Sequence, residues 1–313
     1  MKRIILLLCL LLLVSSCGFS PSGDSEQEIT GCPYSCRSGS SGVELEILNP
    51  DTSIGDSEKR IIPAGYEFIP SLIVHDEGMS DADGEVCVTG LDSSTFSGVG
   101  GCDCADYYIV VEEEEDYFLN DQVVDIFPGY GVASGTEGDY LMTFINRYKY
   151  KTYAVVDACL KQDPADKEGC SSSGSILDVS SSAPLTVKSV DQTITRPGQG
   201  TNAINLILTY EVSAKGNAGS GLINDEVLFS GLCYDPNDED PWIDVKFVIL
   251  NQEYSCESIQ LIAGEGTGSC IADSIITEGS SGEYLFEDQS THQGYLEFSY
   301  LWEDIETVEF RVQ

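Results

Sequence analysis

Apolar and charged positions alternate along residues 43–47, where Val43, Leu45 and Ile47 are separated by Glu44 and Glu46. Successive side chains of a β-strand point to opposite faces, so this alternation predicts a half-buried strand. Similar short runs recur at 68–74, 85–90, 107–111, 122–127 and 140–145, most of them separated by Gly, Asp, Ser or Pro. No window has a helical period. Many short strands at this spacing predict an all-β chain of immunoglobulin-like β-sandwich architecture.

A Ser-rich stretch at 171–184 interrupts the pattern, which then restarts at 185–190, 203–212, 226–234, 242–250, 258–263, 294–302 and 307–312. Segments 140–159 (YLMTFINRYKYKTYAVVDAC) and 294–312 (GYLEFSYLWEDIETVEFRV) close the two halves alike, each with an aromatic-rich strand, a short break and a β-rich strand. The expectation is a divergent tandem repeat: sandwich domain 1 over 43–170, a linker over 171–184 and sandwich domain 2 over 185–313.

Strand periodicity also sorts the basic residues Arg147, Lys149 and Lys151 onto one face and Tyr148, Tyr150 and Thr152 onto the other. A Tyr row facing the core beneath a solvated basic row predicts an edge or surface strand, where lysines also discourage aggregation. The acidic run Glu112–Asp116 is the expected internal partner of the basic row. The alternative is a docking ridge for an acidic surface, either another surface protein or a second copy of this chain.

The first residues change the picture of where the chain works. Lys2 and Arg3 precede the apolar run Ile4–Val14, which is too short to span a bilayer and so predicts a signal peptide over 1–16. Val14-Ser15-Ser16-Cys17 resembles the lipobox of prokaryotic lipoproteins, which makes Cys17 the expected lipidation site and the membrane a partner through its acyl chains. Ordinary cleavage near Ser16 is the competing reading. Residues 17–42, rich in Gly, Ser and Pro, form the expected flexible tether, with Cys32 and Cys36 closing a small loop in it.

Of 313 residues, 53 are acidic and 15 are Lys or Arg, for a formal net charge of −38. A field of that sign repels nucleic acid and attracts divalent cations and basic partners. Removing Cys9 and Cys17 from the 12 cysteines leaves an even number, as a disulfide framework in an exported chain requires. With only two histidines and no repeated C-x-x-C, a structural zinc site has little support. Spacing alone leaves the pairing of Cys87, Cys102, Cys104 and Cys233 open.

Several segments together resemble the secreted surface proteins of small-genome DPANN archaea, modular β-sandwich proteins akin to CARDB-like and immunoglobulin-like domains. They are GVELEILNPDTSI (42–54), EVCVTGLD (85–92), YKYKTYAVVDACLKQDPADKEGC (148–170), APLTVKSVDQTI (183–194), YSCESIQLIAGEGTGSC (254–270) and the closing 294–312. The resemblance covers most of the mature chain and implies local disulfides Cys159–Cys170 and Cys256–Cys270, each closing a loop for about 3 kcal/mol of loop entropy. Gly84, Asp103 and the EEEED run depart from its pattern. It implies location and architecture and no chemistry.

Among chemical sites, calcium has the best case. Asp76, Asp81 and Asp83 in HDEGMSDADGEV (75–86), and Asp235, Asn237 and Asp240 in YDPNDEDPWID (234–244), offer loop oxygens without the EF-hand frame. No G-x-S-x-G elbow occurs, and the closely spaced glycines of GEGTGSC (264–270) read as a turn. The expected protein is therefore a non-enzymatic surface lipoprotein with no cofactor other than Ca²⁺, acting in adhesion, envelope structure or partner recognition. One rival is a lipoprotein that captures a small molecule or polysaccharide, with Trp242, Trp302 and Tyr side chains converging on a pocket. A second is a glycan-cleaving enzyme with two carboxylates facing across a cleft.

Overall fold

The computed structural model describes residues 42–48, 60–76, 80–110, 120–126, 132–133, 136–181, 184–198, 203–214, 220–224, 228–233, 241–276 and 289–313. The expected leader, tether, Cys17, Cys32, Cys36, the 112–116 acidic run and Asp235, Asn237 and Asp240 lie outside these residues. In chain order the strands are β1 (Val43–Ile47), β2 (Arg60–Ile62), β3 (Glu67–Phe68), β4 (Ser71–Asp76), β5 (Ala82–Thr89) and β6 (Cys102–Ile109). There follow β7 (Asn120–Asp125), β8 (Val132–Ala133), β9 (Gly138–Lys161), β10 (Ser173–Ser175), β11 (Leu177–Ser180) and β12 (Leu185–Thr195). The last are β13 (Ala203–Ala214), β14 (Gly221–Leu222), β15 (Asp244–Ile249), β16 (Gln252–Ser255), β17 (Glu265–Ile276) and β18 (Gln289–Val312). No helix occurs among the described residues, so the chain is all-β.

Its spine is the pair of 24-residue strands β9 and β18, antiparallel in unbroken register from Gln289↔Lys161 to Val312↔Gly138. At about 3.3 Å per residue each runs for roughly 80 Å, several times an ordinary strand. At one end β9 also pairs with β5, and β5 with β6, while β2 lies parallel to the tail of β18. At the other end β11 pairs with β9, and β15 then β16 extend from β18. Two smaller sheets, β1-β4-β7 and β10-β12-β13-β17, complete the layers, and β3 pairs with β8.

The apolar faces of these sheets share one large buried cluster, and Ile223, Leu228 and Leu301 form a smaller one. The large cluster takes Leu72, Val74 and Val124 from the three-stranded sheet, Leu206, Leu208 and Tyr210 from the four-stranded one, and Phe144, Tyr148, Val156 and Phe298 from the spine. Tyr210 meets Phe298 edge-on at 5.3 Å between ring centroids, and Phe68, Phe96, Tyr140 and Phe310 cluster at the opposite end. Alternation of burial along β4 and β13, and along β12 on either side of a bulge at Lys188–Ser189, is the period-2 pattern of their sequences made solid.

Four sequence expectations fail here, for identifiable reasons. The division into 43–170 and 185–313 does not separate two closed sandwiches, because the two segments that looked like repeated endings are each other's partners in one sheet. β10 to β17 are inserted between β9 and β18, and β18 returns to pair beside the strands that precede it. Residues 171–184 are not a plain linker, since β10 pairs with β12 and β11 with β9. Described residues 228–233 of the expected strand 226–234 form turns, with Phe229 (φ 59°) and Gly231 (φ 67°) in the left-handed region. Lastly, Gly264 lies in the expected turn but Gly266 and Gly268 lie inside β17. A Cβ on Gly268 would come within 2.5 Å of Ile259 Cγ2, so glycine lets segment 259–261 lie across the strand.

Candidate functional site

The outer face of the spine carries the least expected chemistry. Register places Glu85 of β5, Arg147 of β9 and Glu303 of β18 in one row across the sheet, with Asp106 of β6 beside Glu85. Two residues along lies the row Tyr108, Asp83, Lys149, Leu301, and on the other side the row Cys104, Cys87, Ile145, Ile305. Alternation puts all of these on one face, opposite the buried Tyr148, Tyr150 and Thr152.

The segment Leu228–Cys233 crosses this face as a strap. Cys233 is disulfide-bonded to Cys102, 131 residues away, and Cys87 is bonded to its cross-strand neighbour Cys104. Arg147 Nη1 donates to the Leu232 carbonyl, its Nε donates to Glu303 Oε2 at 2.6 Å, and its Nη1 lies 3.5 Å from Glu85 Oε1. Backbone groups of Gly231 and Phe229 hydrogen-bond the Glu85 carboxylate. Arg147 is wholly buried and Glu85 is 1% exposed. Burial raises the Glu85 pKa, and the Arg147 guanidinium opposes that rise. The arrangement is a three-charge cluster, buried at Arg147 and Glu85 and partly exposed at Glu303, with main chain as its roof. The ion pairs and strap carbonyl offset much of the cost of burial, while Arg147 Nη2 and Glu85 Oε1 make no hydrogen bond.

The basic row therefore has a different meaning from the one its sequence predicts. β9 is central, not an edge: β18 flanks one side, and β5 and then β11 the other. Arg147 is closed under the strap, Lys151 Nζ pairs with Glu297 Oε1 at 3.1 Å, and Lys149 Nζ sits 5.9 Å from the Phe229 ring centroid. Lys246 reaches the same Glu297 at 3.4 Å and Glu253 at 3.5 Å. The surface that docks on Arg147 and Lys149 is a strap of the same chain.

Beside the strap, Asp83, Asp106, Tyr107, Tyr108, Gln122 and Phe229 line an open cleft of about 510 Å³. Tyr108 is 58% exposed and Phe229 43% exposed. Gln122 Oε1 accepts from the Tyr108 backbone N–H at 3.1 Å, which fixes the amide at the rim. The buried Tyr107 hydroxyl donates to Asn146 Oδ1 at 2.8 Å, and burial pushes its pKa well up, so it stays protonated. The cleft thus offers aromatic faces and two carboxylates.

The other predicted residues distribute differently. Asp76 is buried at the end of β4, Asp81 precedes β5, and Asp83 points to the outer face. Among the described residues these three do not form a ligand cluster; the one group of three or more His, Cys, Asp or Glu ligand atoms within 4.8 Å of one another is Cys87, Cys102, Cys104 and Cys233. Trp302 is buried, donating through Nε1 to Asp304 Oδ1 at 2.9 Å, while Trp242 is exposed, and neither lines the cleft. Cys159 is bonded to Cys170 and Cys256 to Cys270. Sequence reasoning missed the pairing of Glu85 with Arg147, and missed Glu303 and the strap. Their signal was the unexplained acid within a strand run, EVCVTG, whose partner only register supplies. No family model matches the chain, nor does any curated protein or solved structure.

Proposed function

We propose that this is an exported, non-enzymatic surface module, held at the membrane by lipid on Cys17, that recognises partners bearing basic groups. The observation that carries the reading is the set of four disulfides closed among the described residues of one all-β unit, because such bonds form and persist in oxidising compartments. The net charge of −38 gives the chain long-range attraction for cationic partners. The lipobox-like Val14–Cys17 and the resemblance to secreted β-sandwich proteins support the same location. Metabolic labelling with an alkynyl fatty acid, combined with protease shaving of intact cells, tests it. Label incorporated into the chain and lost in Cys17→Ser, with the chain shaved from the cell surface, is the expected result. An unlabelled chain protected inside the cell would overturn the reading.

The open cleft favours a second reading, in which the lipoprotein captures a small ligand. Tyr108 and Phe229 supply stacking faces there, with Asp83 and Asp106 as hydrogen-bond acceptors.

A further inference from the structure

The strap cysteine belongs to a group whose chemistry extends beyond two disulfides. Cys87 comes from β5, Cys102 and Cys104 from β6, and Cys233 from the strap, and the four Sγ atoms all lie within 4.8 Å of one another. Tetrahedral zinc holds thiolates at Zn–S of about 2.3 Å, which sets S···S near 3.8 Å. The farthest sulfurs need to close by no more than about 1 Å, and the two bonded pairs to open on reduction, for one such ion to hold all four. We propose that the reduced chain binds a single Zn²⁺ through Cys87, Cys102, Cys104 and Cys233, so that the cluster has a disulfide state and a zinc state.

The scaffold suits both states. Cys102 and Cys104 are two apart on one strand and so share a face, and Cys87 is registered opposite Cys104 on the paired strand. Three ligands thus stand on a hydrogen-bonded hairpin, and only Cys233 arrives on irregular chain. Cys87 is buried and the other three are half-buried, so the site is shielded yet reachable.

The chemistry balances. A dithiol reductant gives two electrons and two protons to each disulfide, converting four bonded sulfurs to four thiols while two molecules of the reductant close to their own cyclic disulfides. Zn²⁺ binding then releases four protons to solvent as the thiols become thiolate ligands. In either state a bond through Cys233 holds the strap over Arg147, so this face stays closed in reducing and oxidising surroundings alike.

The test is metal stoichiometry on the full chain, reduced with a dithiol without oxygen, loaded with Zn²⁺ and desalted. One zinc bound per chain is expected, retained in Cys159→Ser/Cys170→Ser and lost in Cys102→Ser and in Cys233→Ser. Co²⁺ in its place should give the intense thiolate charge-transfer and tetrahedral ligand-field bands of a four-sulfur site. The unsubstituted chain supplies a check free of any folding defect: zinc should slow alkylation of these four cysteines, mapped by mass spectrometry, and a chelator should restore it. Absence of zinc from the reduced chain, zinc that survives Cys233→Ser, or alkylation at these positions that zinc does not slow would each overturn the proposal. These outcomes are read on purified protein and are independent of the location test above.

Discussion

At one end of the β9–β18 pair the disulfides are local: Cys159–Cys170 and Cys256–Cys270 separate residues by 11 and 14 positions. At the other end Cys87–Cys104 is also local, at 17 positions, but Cys102–Cys233 separates residues by 131. The difference follows from how each end is assembled. Around β10–β17 the sheets are made from consecutive chain, and short loops need only local closure. Around β4–β6 they combine early strands with the tail of β18 and a strap sent back from the insert. Contiguous structure is stapled locally, and structure gathered from distant chain is stapled across the distance.

Breaking the long staple should cost most. Loop-closure entropy gives about 5 kcal/mol for Cys102→Ser/Cys233→Ser against about 3 kcal/mol for Cys159→Ser/Cys170→Ser. Denaturant titration should show that difference within a single transition, because the shared spine couples the two ends. Two separate transitions would mean that β9 and β18 do not couple them.

Next in size is the buried charge cluster. Arg147→Met leaves Glu85 under the strap without its cation and should destabilise the chain by about 4 kcal/mol. Lys149→Met, whose side chain is exposed over Phe229, should cost well under 1 kcal/mol. Equal losses for the two would contradict the burial of Arg147, and thermal denaturation of both variants measures them.

The smallest effect is a pH dependence in the three-stranded sheet. His75 of β4 contacts Asp121 of β7 at 2.7 Å and Glu46 of β1 at 3.1 Å. Partial burial lowers its pKa, but the two carboxylates outweigh that and hold it above the ordinary value. A raised folded-state pKa means the contribution is full below the unfolded value of about 6.5 and is lost as pH rises through the folded one. The melting temperature of the parent chain should therefore fall slightly more than that of His75→Gln between pH 6 and 8.

Much of the local structure was legible in the sequence. Alternation set Val43 and Ile47 inward and Glu44 outward, and sorted Tyr148 and Tyr150 from Lys149 and Lys151, because side-chain direction depends only on the residue and its neighbours. What stayed hidden was long-range. The length of β9 was obscured because Phe144–Tyr148 and Thr152–Val156 are covered on both faces, which erases alternation where it would have shown continuity. Cys spacing leaves three pairings for four sulfurs, and cross-strand register, not sequence, joins Arg147 to Glu85 and Glu303. The run 226–234 resembled a strand through apolar residues such as Leu228, Phe229 and Leu232, of which Leu228 alone is buried.

The unbroken spine sets a timetable for synthesis. A chain emerging N-terminus first makes β9 and then more than a hundred further residues before β18 exists to pair with it. Through that interval the hydrogen-bonding edge that will receive β18 has no partner along its whole length, and stray strands from neighbouring chains compete for it. Lys149, Lys151 and Asp157 punctuate that stretch with exposed charge. Their value is greatest before the fold is complete, as guards of a vacant edge.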